Sequence, residues 1–273
     1  DMLQKNILIL FIISFNNVLS QDNYLEKKQD EIKKWENVII SSKETSDKLI
    51  ANDSLIKLIT ETISNPKAYI FPFEKLDYIS VLQPKNREFK LFTWFIPLKN
   101  GSYNYFGILQ TCKKNGKKCQ IYQLGAGNKD KEYNSNDLIT HHNWYGCIYY
   151  DLIEIKVNKK KYYTLLGWDG HNNTSNKKIV DILQISKHTE PSFGAKIFNN
   201  DSARMIIEYS EEYSMSLKWD SEIQSIVFDH LEPIDGVSKD NFSLYAPNLS
   251  YDILEKSENG WELKTNIYLN NQK

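Results

Sequence analysis

The sequence predicts a mainly β protein: an antiparallel meander forming a curved or propeller-like sheet structure, behind an N-terminal helical arm. Three observations carry this expectation. From Ala68 onward apolar residues recur every second position, the spacing of half-buried strands. Asn-Gly turns at Asn100-Gly101, Asn115-Gly116 and Asn259-Gly260 interrupt the runs, and connections this short join antiparallel neighbours. The 273 residues also include 17 Tyr and 12 Phe, side chains that suit a pleated, half-buried surface.

The first twenty residues read as a targeting segment. Lys5 precedes an apolar run from Ile7 to Phe15 and a polar stretch ending Val18-Leu19-Ser20. That is the layout of a secretory signal peptide cleaved after Ser20. The run is too short to cross a bilayer, so no transmembrane segment is expected in the mature chain. A retained amphipathic anchor is the alternative. The expectation is an exported chain, periplasmic or secreted, in a compartment where disulfides persist. Cys112 and Cys119 flank Lys-Lys-Asn-Gly-Lys-Lys, and strands pairing about that turn would set them opposite each other as a disulfide. Cys147, among Trp144, Tyr145 and Ile148, reads as a buried free thiol. Three cysteines without clustered His partners do not suggest a zinc site, and no cofactor is expected.

Residues 21–66 read as the helical arm and 67–273 as the β-rich domain. Leu25, Ile32, Trp35 and Ile39 share one helical face. After a polar break, Asp53-Ser54 would cap a second helix with Leu55, Ile59 and Ile63 on its apolar face, ended by Asn65-Pro66. Strands are then expected at Arg87–Leu98, Tyr103–Gln110, Cys119–Leu124, Tyr149–Val157, Lys161–Leu166, Lys178–Ile185, Ala195–Phe198, Arg204–Tyr209, Tyr213–Trp219, Ile223–Asp229, Phe242–Tyr245, Tyr251–Lys256 and Trp261–Asn266. About a dozen consecutive strands must curl, split into separate sheets or form blades.

The organising stretch is Trp144–Ile185, three strand-like runs around a polar turn. Within Gly167–Ser175, Asp169, Asn172, Asn173 and Ser175 offer oxygens suited to a hard cation. One carboxylate supplies little charge, however, and Asp, Asn and Gly equally serve a long turn that bonds its own backbone. The structural reading is the stronger. This turn and the Gly125–His142 loop are the expected functional rim, with Trp168, Asp169, His171, Asn172, Asn173, Trp144 and His142 as candidate binding residues. Aromatics on successive strands, from Tyr103 and Tyr105 to Tyr162 and Tyr163, could stack on sugar rings or accept a peptide strand, although alternation sends about half of them to the core.

No catalytic residue is assigned, because no nucleophile elbow is present. Asp229, His230 and Glu208 (or Asp181) are the best acid–base candidates, yet adjacent strand residues such as Asp229 and His230 point to opposite faces. A net charge of −1 provides no field for nucleic acid or anionic lipid. The lysine groups around Asn115 and Asn158 read as solvated hairpin tips.

From Tyr149 to Asp252 the phrases YYTLLGWDGHNNTSNKKIVDIL, FGAKIF, RMIIEYSEEYSMSLKWD, IVFDHLEP and LYAPNLSYD occur in order. In these the chain resembles a family of uncharacterised exported proteins of Bacteroidota. Ala246-Pro247-Asn248 stands where that family's pattern has Gly-Pro-Asp, so no carboxylate role passes to Asn248. The resemblance implies export to the envelope and no particular activity. The resulting expectation is a non-enzymatic β domain binding an envelope ligand, protein or glycan; the alternative is a hydrolase using Asp229, His230 and Glu208. Their meeting in one deep polar pocket would favour the hydrolase.

Overall fold

The structure is a computed structural model and describes residues 24–113, 117–125, 135–186, 189–234, 236 and 241–268. The expected signal segment and the middle of the Gly125–His142 loop lie outside the described residues. Two compact units divide the chain: residues 1–79 with 112–119, and residues 80–111 with 120–273. Among the described residues no helix is long and apolar enough to cross a membrane.

In the first unit, helix α1 covers 24–41 and α2 covers Thr45–Ile63. Leu25, Ile32 and Ile39 are buried on α1, and Leu55, Ile59 and Ile63 on α2. Trp35 is only half-buried. The inner face of α1 instead takes Gln29 and Glu36, which accept hydrogen bonds from the backbone N–H groups of Lys75 (3.1 Å) and Ile79 (3.0 Å). Burial raises the Glu36 pKa above the ordinary carboxyl value, partly opposed by the backbone N–H groups of Ile79 and Tyr78. Asp53-Ser54 does not cap α2 but lies within it. The helix begins more than two turns earlier, at Thr45; Ala51 continues the buried face, and Ser54 Oγ donates to the Ile50 carbonyl (3.2 Å). A capping preference of about 1 kcal/mol yields to packing along the whole face. A disulfide joins Cys112 and Cys119, whose Cα atoms are 4.1 Å apart; the turn residues 114–116 lie outside the described set.

Three antiparallel sheets whose ends remain open make up the second unit, apart from residues 112–119 at the adjoining ends of β3 and β4. The first is β1 (Ser80–Leu82), β2 (Phe89–Pro97), β3 (Tyr103–Lys113) and β4 (Lys117–Leu124), in that order. The middle sheet contains β5 (Ile139–Thr140), β6 (Ile148–Val157), β7 (Lys160–Asp169), β8 (Ser175–Gln184), β9 (Ser192–Phe193) and β10 (Met205–Ser210). Its order is β5-β9-β8-β7-β6, with β10 also pairing β8. The last sheet is β11 (Leu217–Asp220), β12 (Ser225–Pro233), β13 (Tyr245–Ser257) and β14 (Gly260–Ile267). This is the expected mainly β meander, split into separate sheets.

Three expected strands differ, the first being Tyr213–Trp219, of which only Leu217–Trp219 is strand. Ala195–Phe198 is irregular, with a single bridge from Phe198 to Trp261, and the sheet is continued by β9 instead. Phe242–Leu244 forms a 3-10 turn that leads into β13. Ala195–Phe198 is apolar because it packs on the core and not because it pairs along a strand, whereas Phe242 and Leu244 stay exposed on their turn.

The middle sheet is buried on both faces. One face packs Leu166, Val180 and Ile182 against Ile226, Leu254 and Trp261 of the last sheet. The other packs Leu165, Ile179 and Leu183 against Phe89, Leu91 and Leu109 of the first. Strands covered on two sides lose strict alternation, which is why β7 and β8 read as near-continuous apolar runs. A bulge in β6 between Tyr149 and Asp151 does similar work. It sends Tyr149 to one core and Ile153, Ile155 and Val157 to the other, although all four share odd parity.

At the centre of β8, Asp181 and Arg204 form an ion pair with no solvent exposure (Nε–Oδ1 3.3 Å). Asp181 also accepts from Tyr149 Oη (2.8 Å) and the Ile182 N–H (2.9 Å), while Trp144 Nε1 donates to Tyr149 Oη (3.2 Å). Arg204 Nη1 donates to the Asp137 carbonyl (2.8 Å). Gly194, at φ +93°, gives the guanidinium room: a Cβ there would sit 3.2 Å from Arg204 Nη2.

Losing one charge strands the other in the core. Asp181→Asn or Arg204→Met should each cost about 3–5 kcal/mol in urea unfolding. An Asp181→Leu/Arg204→Met double variant should cost clearly less than the sum of its singles.

Lys90 on β2 is 1% exposed, and burial, with a smaller contribution from Arg87, lowers its pKa to about 7 from the ordinary 10.5. Between those values the unfolded chain holds the extra proton, so stability rises with pH across the window and falls as pH drops toward 7. The slope should approach about 1.4 kcal/mol per pH unit and flatten in Lys90→Met, as read by urea titrations from pH 7 to 10.

Candidate functional site

A cleft of about 1300 Å³ opens in the second unit, walled by the Asp169–Lys177 turn, β10, β12 and β13, with Ser135 from the Gly125–His142 loop at its edge. Glu208 reaches it from β10, where the strand register sets it opposite Lys177 of β8. The carboxylate is held by Ser175 Oγ (2.5 Å) and Lys177 Nζ (3.5 Å), with His171 Nε2 at 3.8 Å. Asp169 accepts from Tyr145 Oη (3.3 Å) and from the His171 N–H (2.9 Å). Burial, then the Asp169 charge, pushes the Tyr145 phenol pKa well up, so it remains a donor.

Across the cleft, His230 Nδ1 lies 2.7 Å from Asp252 Oδ1. An ionised carboxylate can only accept, so Nδ1 donates in this contact and Nε2 is the ring nitrogen turned away from Asp252. The dyad arises from strand geometry. Phe228 pairs with Asp252 across β12 and β13, and His230 is two residues along on the Phe228 face, a diagonal neighbour. Directly there the pairing shifts register between Asp229 and Leu231. Asn248 Oδ1, accepting from Ser250 N–H and Oγ (2.7 Å each), stabilises the extra residues of β13. Asn248 thus forms an Asx turn within β13.

Of the residues singled out from the sequence, Asp169, His171 and Asn172 line this cleft. Asn172 Oδ1 accepts from the Thr174 N–H (2.8 Å), Thr174 Oγ1 (2.9 Å) and the Ser175 N–H (2.9 Å), so its oxygen is spent within the turn. Asn173 points away and donates to the Asn100 carbonyl (3.2 Å); a Cβ on Gly101 would collide with it at 1.5 Å. Trp168 packs edge-on to Phe95 and Tyr103. Trp144 is fully buried among core residues and lines no surface. His142 is exposed on the short His141–Asn143 turn, away from the cleft lining. Cys147 is the buried free thiol expected.

Glu208, Asp229 and His230 do line one cleft. They are not bonded to one another: Asp229 accepts from the Ser216 N–H (2.7 Å), and the acid beside His230 is Asp252. Asp252 and Lys177 escaped the sequence reading. Asp252 is invisible there because its meeting with His230 depends on a register shift, whereas Lys177 follows from β8–β10 pairing once the register is known. Comparison of the chain with protein-family models, curated proteins and solved structures gives no match.

Asn172→Ala would leave three donors at the cleft wall without their shared acceptor. It should lower stability by about 1–3 kcal/mol in thermal or urea unfolding, while Asn172→Asp, which keeps an acceptor, should retain most of it.

Proposed function

We propose that the chain is an exported envelope protein whose β-rich unit binds a donor-rich, amine-bearing ligand in this cleft. The observation that carries the reading is the lining itself. Asp169, Glu208, Asp229 and Asp252 face a single lysine and two imidazoles, so acceptors and negative charge predominate. Such a surface complements ammonium and hydroxyl groups, and desolvation inside a cleft strengthens the pairing. Phe242 and Tyr245 at the mouth add ring faces that attract cations or stack on sugars. Amino sugars of an envelope glycan fit both features. The Cys112–Cys119 disulfide supports an oxidising compartment, in keeping with the signal-like first twenty residues and the resemblance to exported Bacteroidota proteins.

A second reading rests on the His230–Asp252 dyad. An imidazole oriented by a carboxylate, with Glu208 and Asp229 on the same walls, is equipment for general acid–base hydrolysis. Among the described residues no hydroxyl or thiol is bonded to His230, and a water would have to be the nucleophile. Binding without turnover accounts for the site with fewer additional steps.

Calorimetry with a glucosamine trimer and its N-acetylated counterpart separates the outcomes. The charged trimer should bind at least about tenfold more tightly, weaken as salt is raised, and lose affinity in Glu208→Gln/Asp229→Asn. Equal binding of both trimers, or affinity unchanged by the double variant, would refute the amine reading. Shortening of the trimer by the wild type but not by His230→Ala would move the assignment to hydrolysis.

A further inference from the structure

Away from the cleft, pairing of β5 with β9 sets Ile139 opposite Phe193 and Thr140 opposite Ser192. Continuing that register brings the turn after Thr140 alongside Glu190. Thr140 Oγ1 accepts from the His142 N–H (3.3 Å), and the His141 carbonyl accepts from the Gly125 N–H (2.8 Å), which fixes the turn. Both imidazoles then face one carboxylate. His141 Nδ1 lies 3.5 Å and His142 Nε2 4.0 Å from Glu190 Oε2. One ligand atom from each of the three side chains falls within 4.8 Å of the others.

The His141 side chain is 8% exposed, and its Nδ1, aimed at this cluster, makes no hydrogen bond among the described residues. A buried ring nitrogen left in that state is costly unless something fills the position. Direct hydrogen bonding explains the cluster poorly, since 3.5 and 4.0 Å are long for it. A shared ion explains it better: metal bonds of 2.0–2.1 Å at tetrahedral angles place neighbouring ligand atoms about 3.3 Å apart. His142 and Glu190 are exposed side chains at 71% and 60%, free to close the remaining distance by small rotations.

We propose that His141, His142 and Glu190 form a binding site for one divalent transition-metal ion of the zinc class. Two imidazoles and a carboxylate select such an ion over magnesium or calcium, and three protein ligands leave a position for water or another donor. The site would clamp the His141–Asn143 turn to the segment before β9. It is independent of the amine-binding cleft, whose residues it does not share.

The test is zinc titration of the untagged full chain after EDTA treatment and dialysis, by calorimetry and by competition with a chromophoric chelator. One zinc should bind per chain, with magnesium and calcium failing to compete. His142→Ala and Glu190→Gln should each weaken zinc at least about tenfold, and the pair together should abolish stoichiometric binding. Because both side chains are exposed, circular dichroism should show the variants folded. Glu208→Gln/Asp229→Asn should bind zinc as the wild type does. Absence of stoichiometric zinc binding, or binding that survives His142→Ala/Glu190→Gln, would overturn the assignment.

Discussion

The second unit depends on one buried ion pair. Asp181 and Arg204 lie in a sheet covered on both faces, where either charge alone would be strongly unfavourable. Their bonds draw in Tyr149, Trp144 and the Asp137 carbonyl, tying together β6, β8, the approach to β10 and the segment before β5. Part of the cleft wall, the Asp169–Lys177 turn and β10, continues those same elements. Glu208 follows Arg204 by one turn-free run of strand, and Asp169 to Lys177 links the two strands that meet at Asp181's level of the sheet. A polar network at the centre therefore sets where the polar site can form.

The two sites differ in construction. The cleft is assembled from neighbouring strands, whose registers decide which acids face inward: Glu208 by regular pairing with Lys177, and Asp252 by a diagonal contact at a register shift. The His141–His142–Glu190 cluster depends on the two-residue pairing of β5 with β9, and on a turn fixed by Thr140 and Gly125. Regular strands give the cleft rigid walls, whereas the cluster joins two short segments that have little pairing of their own. A metal ion has most to contribute in the second setting.

Much of the architecture was legible in the sequence because it rests on local patterns. Period-two runs and Asn-Gly turns located the long strands and the meander, and the spacing of Cys112 and Cys119 about Asn115-Gly116 indicated their bridge. Errors arose where tertiary packing outweighed local preference. Asp53-Ser54 looks like a helix cap but lies inside α2, and Ala195–Phe198 looks like a strand but is apolar only because it covers the core. The turn bearing Asp169, His171 and Asn172 was recognisable from its composition. Trp144, a candidate binding residue by sequence, is core instead, because an aromatic's burial cannot be read without knowing which sheet covers it. Asp252 and Glu190 were hidden, since their partners are chosen by register and by strand order.

The central claim, that the acid-lined cleft is the binding site, is tested most directly by observing its imidazoles. In metal-free protein, the ¹H–¹⁵N signals of the histidine side chains should be followed while the glucosamine trimer is added. His171 and His230 should shift together and saturate at one ligand per chain, while His142, outside the cleft, stays still. Saturable binding that moves His142 but leaves His171 and His230 unchanged would contradict the account.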